Sequence, residues 1–329
     1  MIVMEIAEKI AVGGLSEKLE IKCPFEDDIK GVSEKDNESI ADDDSDDVQE
    51  AQSNNGGTLG RNLNNGSNGK EGTWEGAPYE PPAGQESLAN DSKRKNGQKG
   101  AKVWQKVQVP GTAAITDRAF PFTVAAHHLI PGNASLYNDE NNLKKYMIQG
   151  ETVKADGKTW EIKYHIGYNV NGAHNGVWLP GNYAIRAKAS PTGVTWGKMG
   201  NEDWQLNYVA ACVKVTGGQF HDGHCDYNEA VQKLMNKIAL KLQIHQAHCK
   251  LCEKKQGKKI PPPYLIKQRL YNLSGYFRQQ LTKHPQGWRR PWFTSDRWRE
   301  VVFKNNAEKA CKEFMEAYGK AKIEVIKEN

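Results

Sequence analysis

The sequence predicts an α+β domain that follows a disordered leader and precedes a helical C-terminal extension. Three patterns indicate this arrangement. Apolar and polar residues alternate around residues 103–109 and 159–170, which is typical of half-buried strands. Apolar residues recur at three- and four-residue steps from about 226 to 253, which predicts a long helix. Residues 31–100 show neither period and cannot bury enough apolar surface to offset the entropy of ordering, so we expect disorder there.

The leader, residues 1–100, differs from the remainder in charge. It holds 11 basic and 21 acidic residues, whereas residues 101–329 hold 34 basic and 19 acidic ones. The leader therefore has a net charge of −10, and residues 101–329 have a net charge of +15. This asymmetry indicates a polyanion-binding domain behind a solvated leader, although basic residues that only keep a domain soluble would give the same count. Residues 1–25 have weak amphipathic character and are a candidate for docking on a partner.

The folded domain is expected at residues 101–256. It opens with the strand at about 103–109 and continues with a short helix at 135–149, where apolar residues have helical spacing. The strand at 159–170 and the long helix at 226–253 complete it.

The extension, residues 257–329, is expected to contain a helix at 264–281 and a last helix that Ser295 caps and that reaches Val325. Basic residues and tryptophans cluster at 288–299. They fit three interpretations: contacts to phosphates and bases, a helical subdomain with a tryptophan core, or a contact with an acidic inhibitor.

The start of the chain shows no basic and apolar pattern of a secretory signal, and no segment has the length of an apolar membrane span. Six cysteines in 329 residues argue against a disulfide scaffold. We therefore expect synthesis in a reducing cytoplasm, and export, where it occurs, by a machine that reads no cleavable signal.

Three separated segments carry the chemistry of a one-metal phosphodiesterase. They are 126–131 (Ala-His-His-Leu-Ile-Pro), 175–180 (Asn-Gly-Val-Trp-Leu-Pro) and 220–228 (Phe-His-Asp-Gly-His-Cys-Asp-Tyr-Asn). Adjacent residues of a strand point to opposite faces, so one histidine of the doublet can ligate a metal while its neighbour faces a water. Neutral imidazoles suit zinc, nickel or a similar divalent ion, which can neutralise the phosphate and the leaving oxygen.

Together these segments resemble the AHH branch of the HNH (ββα-metal, endonuclease VII-like) nuclease superfamily, over roughly residues 118–240. The resemblance implies a ββα-metal core, with the stretch between Pro180 and Phe220 as an insertion. It also implies one divalent ion, whose identity among zinc, nickel, magnesium and manganese stays open. His221 and His224 are separated by two residues, whereas most members have three between these histidines; Asp222 and Asp226 are therefore alternative ligands.

The site assignments follow. We assign the metal ligands to His127, His221 and His224, and the general base to His128, whose ordinary pKa of about 6.5 leaves much of it neutral at pH 7. By resemblance, Asn175 fastens the loop that faces the doublet and helps to orient His128, with Asn171 and His174 as alternatives. Candidate contacts to nucleic acid are Arg186, Lys188, Arg289 and Arg290.

A second group of residues has the types and spacing found in zinc sites: His245, His248, Cys249 and Cys252. Because His245, Cys249 and Cys252 continue the apolar stripe of the long helix, core packing is the favoured interpretation. Cys212 and Cys225 are the outside candidates for completing a metal site.

The resemblance implies a sequence-nonspecific DNA endonuclease that is a bacterial antibacterial effector. It would be made without a signal peptide, delivered by a route such as type VI secretion, with an N-terminal region that meets the secretion machine or an adaptor, and active in the cytoplasm of the target cell. A small acidic immunity protein would neutralise it. Two alternatives stay open: an RNase with the same site, and a non-catalytic metal-containing module that binds nucleic acid.

Overall fold

A computed structural model of the chain describes residues 2–13, 23–25, 54–65, 99–108, 115–136, 143–182, 203–304 and 309–324. The helices are α1 (Ile2–Val12), α2 (Gly56–Asn65), α3 (Asp203–Thr216), α4 (Cys225–His248), α5 (Lys250–Lys254), α6 (Leu265–Leu281), α7 (Asp296–Val302) and α8 (Lys312–Lys320). The strands are β1 (Lys99–Gln108), β2 (Ile115–His128), β3 (Thr152–Ala155), β4 (Lys158–Ile162), β5 (Gly176–Gly181), β6 (Lys259–Ile260) and β7 (Lys322–Glu324). These elements confirm the α+β class and are consistent with an HNH-type nuclease fold.

The larger sheet has the strand order β5-β2-β1-β7, and each neighbouring pair is antiparallel. At its β5 edge, His127 pairs with Val177 and His128 with Gly176. The doublet therefore lies at the end of the long strand β2, beside the start of β5. The second and third motif segments meet where His221 bridges Gly181.

The smaller sheet joins the β3–β4 hairpin to β6, with β6 parallel to β4. Asp156 and Gly157 form its two-residue turn, and both have a positive φ, of 49° and 72°. An Asp-Gly turn of this kind suits the twist of a hairpin.

Two apolar clusters lie on opposite faces of β5. Val177 and Leu179 belong to a cluster that includes the buried faces of α4 and α6, whereas Trp178 belongs to one that includes α3, α7 and α8. This alternation along the strand follows from its two-residue period. The larger sheet is therefore covered by helices on both faces at its β5 edge.

Helices α4 and α6 form where the apolar spacing predicts them. The buried residues of α4 recur at helical steps from Tyr227 to Leu242. The helix ends at Cys249, whose backbone is extended (φ −80°, ψ 115°), and α5 follows, so the predicted helix 226–253 is interrupted once. Ser295 caps α7, because its Oγ accepts a hydrogen bond from the Trp298 amide at 3.0 Å.

Three predicted elements are shorter than expected. The predicted helix 135–149 contains a π turn at Gly132–Leu136 and a 3-10 turn at Lys144–Tyr146, although its apolar residues are buried. The predicted strand 159–170 ends at Ile162, and Gly167 turns the following segment with a φ of +72°. The predicted last helix is divided into α7 and α8, and its final residue, Val325, lies outside the described residues.

Two parts of the leader are ordered helices that pack on the domain. Ala7 and Ala11 of α1 are buried in contact with α4 and α6, and Leu59 and Leu63 of α2 are buried over β2 and β5. The prediction of disorder therefore does not hold for residues 56–65, because tertiary burial stabilises a helix that its sequence alone does not favour. The domain boundaries themselves stay predictions. In the described part of the chain, no helix is both long and apolar enough to cross a membrane.

Candidate metal centre

The two histidines of the doublet have different surroundings, as their adjacent positions on β2 require. Both are buried, with 3% and 8% of their surface exposed. The ring of His127 faces His221 and His224, whereas His128 contacts Asn171. One strand end therefore supplies side chains to two separate polar clusters.

The predicted ligands His127, His221 and His224 meet in a nearly equilateral triangle. Their ring centroids are 4.9, 4.9 and 5.0 Å apart, and one nitrogen of each ring lies within 4.8 Å of the other two. The backbone amide of His221 donates to Pro180 O at 2.7 Å, which holds this residue at the end of β5. His224 immediately precedes the first residue of α4. Three elements thus bring the imidazoles together.

These residues fit a transition-metal ion. Nε2 of His127 is buried and finds no hydrogen-bond partner among the described residues. Burial lowers the pKa of all three imidazoles, to about 3 for His221, and the neighbouring histidines lower those of His127 and His221 further. The ligands are therefore neutral at pH 7, as metal binding requires. Nδ1 of His224 donates to Oδ1 of Asn228 at 3.1 Å, which leaves the lone pair of Nε2 as the one that can bind a metal.

His128 is held by a different partner from the one expected. Its Nε2 donates to Oδ1 of Asn171 at 2.9 Å, so Nδ1 carries the lone pair that can accept a proton. Burial lowers the pKa of His128, and the hydrogen bond that its ring donates to Asn171 opposes that shift. Asn171, which the sequence offered as an alternative to Asn175, is the amide in contact with this imidazole.

Asn175 fastens the loop. Its Oδ1 accepts from the Ile130 amide at 2.8 Å and from Ser274 Oγ at 3.1 Å. Its Nδ2 donates to Ile130 O and Val170 O, both at 2.9 Å. The side chain therefore joins the segment after the doublet to the loop that carries Asn171. His174, the other alternative, is buried between the rings of Tyr168 and Tyr271.

The C-terminal extension braces the ligand segment 220–225. Thr294 O accepts from the Asp222 amide at 3.1 Å, and Thr294 Oγ1 donates to Phe220 O at 3.0 Å. Asp296 accepts from the Cys225 amide through Oδ2 and donates its own amide to Gly223 O, both at 2.6 Å. Asp296 thus caps α4 from another helix.

The alternative ligands are engaged elsewhere. Asp226 forms an ion pair with Arg299, and Asp222 hydrogen-bonds to Ser295 while burial raises the pKa of its carboxyl group. The described residues that lie close enough to share this ion are therefore the three histidines.

Sequence reasoning did not anticipate the distant residues that hold the loop containing Asn171 and Asn175. Arg278 of α6 donates to the carbonyl groups of Ala173, His174 and Gly176 at 2.7–3.2 Å. From the leader, the Asn55 amide donates to Asn171 Oδ1 at 2.9 Å. The run of asparagines and glycines at 54–57 is a recognisable helix-capping signal, and Asn55 Oδ1 does accept a hydrogen bond from the Thr58 amide at 3.0 Å. The run does not indicate that Asn55 also contacts Asn171.

Of the four predicted contacts to nucleic acid, the structure describes two. Arg186 and Lys188 lie outside the described residues. Arg290 pairs with Glu300 at 3.3 Å and lies over the ring of Phe303, while Arg289 donates to nearby carbonyl groups. The tryptophans of the cluster are at most 1% exposed, so they form core and cannot stack on bases: Trp288, Trp292 and Trp298.

Comparison with known proteins agrees with this geometry. Residues 113–260 match the model of the AHH family, described as a nuclease family of the HNH/ENDO VII superfamily with conserved AHH. No curated protein and no solved structure gives a significant match to the chain. The matched segment contains the doublet, the Asn175 loop, all three histidines of the triangle and α4. Residues 113–260 therefore form a nuclease domain of the AHH family.

Proposed function

We propose that the chain is a metal-dependent, sequence-nonspecific DNA endonuclease that acts as an antibacterial toxin. The observation that carries the proposal is the pairing of a three-imidazole cluster with a separate imidazole on the next residue of the same strand. The first arrangement suits a divalent ion with an open position, and the second suits a proton acceptor.

The chemistry would divide between these two clusters. An ion held by His127, His221 and His224 would neutralise charge on the scissile phosphate and on the departing oxygen. Nδ1 of His128 would accept a proton from the attacking water while Asn171 holds the ring. A bond then forms between phosphorus and the water oxygen, and the bond from phosphorus to the leaving sugar oxygen breaks. Because burial keeps His128 neutral, it is ready to accept the proton.

The test is cleavage of plasmid DNA and of total RNA by the purified protein, with and without a chelator. We expect DNA to be cut and the chelator to stop it; cutting of RNA alone would replace the proposal with an RNase. His128→Ala should lower cleavage about 10²–10⁴-fold while metal content and DNA binding persist. A variant that cuts as well as the parent would remove His128 from the chemistry, and a parent that binds DNA without cutting it would indicate a binding module.

The toxin role rests on the family resemblance and on charge. Residues 101–329 carry a net charge of +15, which suits both a nucleic acid and a small acidic immunity protein. Expression of the chain should stop bacterial growth, and co-expression of a neighbouring small acidic reading frame should restore it. Growth arrest that persists in the His128→Ala variant would contradict a toxicity based on cleavage.

Delivery into a rival cell by a contact-dependent route such as type VI secretion, through an N-terminal region that meets the secretion machine or an adaptor, completes the proposal. Ile6 on α1 is 43% exposed although α1 packs on the domain, so it is an available contact. We expect Ile6→Asp to lower killing of neighbouring cells while toxicity on internal expression is unchanged. Equal killing by parent and variant would exclude this contact.

A further inference from the structure

Four potential metal ligands converge at the C-terminal end of α4, away from the histidine triangle. They are Cys23, His245, Cys249 and Cys252, and one donor atom of each lies within 4.8 Å of all the others. The sequence favoured core packing for the last three and offered Cys212 or Cys225 as an outside ligand. The structure instead supplies Cys23 from the leader, 229 residues before Cys252. Cys212 is buried in the second apolar cluster, and Cys225 is exposed.

The backbone at this point presents the side chains together. His245 and Cys249 are one helical turn apart, and the Cys249 amide donates to His245 O at 2.9 Å. The extended conformation of Cys249 then ends α4, and α5 returns Cys252 to the same place. Trp160 of the small sheet holds this turn, because its Nε1 donates to Cys252 O at 2.8 Å.

The sulfur positions fit one shared ion. Sγ of Cys23 lies 3.6 Å from Sγ of Cys252 and 3.6 Å from Sγ of Cys249. Two thiolates on one tetrahedral zinc, each with a bond of about 2.3 Å, are about 3.8 Å apart, whereas a disulfide needs about 2.05 Å. Nε2 of His245 is buried and has no hydrogen-bond partner within the described part of the chain, so its lone pair can serve as a metal ligand.

We propose that Cys23, His245, Cys249 and Cys252 bind a structural zinc ion. Three thiolates and one imidazole make a closed tetrahedral site, in contrast to the histidine triangle, which leaves a position open. The ion would clip the segment Cys23–Phe25 of the leader to the end of α4. Phe25 is buried and its ring lies 6.0 Å from that of Tyr146, so the clip also completes the core beneath the small sheet.

The full-length protein with cobalt(II) in place of zinc provides the test. Thiolate ligands give cobalt an intense near-ultraviolet charge-transfer band and tetrahedral visible bands, whereas the triangle, made of imidazoles, gives no thiolate band. We expect the thiolate band in the parent, and its retention in a His127→Ala/His224→Ala double variant. A parent without the band would overturn the proposal.

Zinc content measured by elemental analysis supplies the second readout. Cys252→Ser should lose one zinc per chain relative to the parent, while the matched control Cys311→Ser keeps it, because Cys311 lies at the start of α8 and outside the cluster. Equal zinc content in the Cys252→Ser variant, or a Cys23–Cys252 disulfide in protein purified under reducing conditions, would overturn the site. Neither readout depends on nuclease activity.

Discussion

Asn175 offers the sharpest test of how the site is built, because every polar group of its side chain is engaged. Its four hydrogen bonds join Ile130, Val170 and Ser274 at distances of 2.8–3.1 Å. All are buried, so truncation to alanine leaves partners without replacements. At about 0.5–1.5 kcal/mol for each bond, Asn175→Ala should lower the free energy of unfolding by about 2–6 kcal/mol. That is a large share of the roughly 5–15 kcal/mol that stabilises a typical protein.

Equilibrium unfolding in urea measures this loss, with the matched control Ser274→Ala, which removes one of the four bonds and should cost about 1 kcal/mol. Asn175→Asp keeps the acceptor atom but points an oxygen at two carbonyl groups, so it should destabilise at least as strongly as alanine. At a temperature where Asn175→Ala remains folded, its cleavage rate should stay within a few-fold of the parent. A stable variant without activity would refute the loop role and assign Asn175 to the chemistry.

Three further predictions concern its neighbours. Asn171→Ala should lower kcat about 10–100-fold with metal content unchanged, since its amide orients His128; unchanged kcat would show that the ring needs no such support. Gly176→Ala places a methyl group 2.8–2.9 Å from leucine side chains of α2, so the packing of α2 on the sheet should weaken by about 1–3 kcal/mol. Amide hydrogen exchange across residues 56–65 should become faster, and unaltered exchange would argue against the contact. Burial lowers the pKa of His174, so its contribution to stability is present above about pH 6.5 and is lost as pH falls below it, by at most about 1.4 kcal/mol per pH unit. His174→Phe should therefore lose about 1 kcal/mol less stability than the parent between pH 6.5 and 5.5 in urea unfolding. Identical pH slopes for parent and variant would contradict the assignment.

The parts of the site that local patterns encode were predictable. The motif segments identify the three histidines that the structure brings together, and apolar spacing places α4 and α6 within a few residues. The cap at Ser295 was also evident from residue type. These features depend on neighbours within a few positions in the chain, which a sequence displays directly.

The features that the sequence did not predict depend on contacts between residues that are distant in the chain. Cys23 meets Cys252 across 229 positions, and neither residue indicates the other in a single sequence. Helix α2 has a composition typical of loops, and it is stabilised by burial of its leucines over Gly176. The tryptophans at 288–299 could lie on the surface or in the core as far as composition shows, and only their packing in the structure decides that they belong to the core. The Asp156–Gly157 hairpin signal was present, but only the second of its strands was predicted.

Helix α4 has a consequence for how this chain can vary. Its first turn adjoins the histidine triangle and its last turn carries His245, 21 positions after His224, a span of roughly 31 Å at 1.5 Å per residue. Each inserted or deleted residue would rotate one end against the other by about 100°. Tyr227 near the start is anchored through its hydrogen bond to Leu129 O, and the turn at the end is anchored through the hydrogen bond from Trp160 Nε1 to Cys252 O, so neither end can follow such a rotation. Related chains should therefore preserve the number of residues in this helix and change length in the loops.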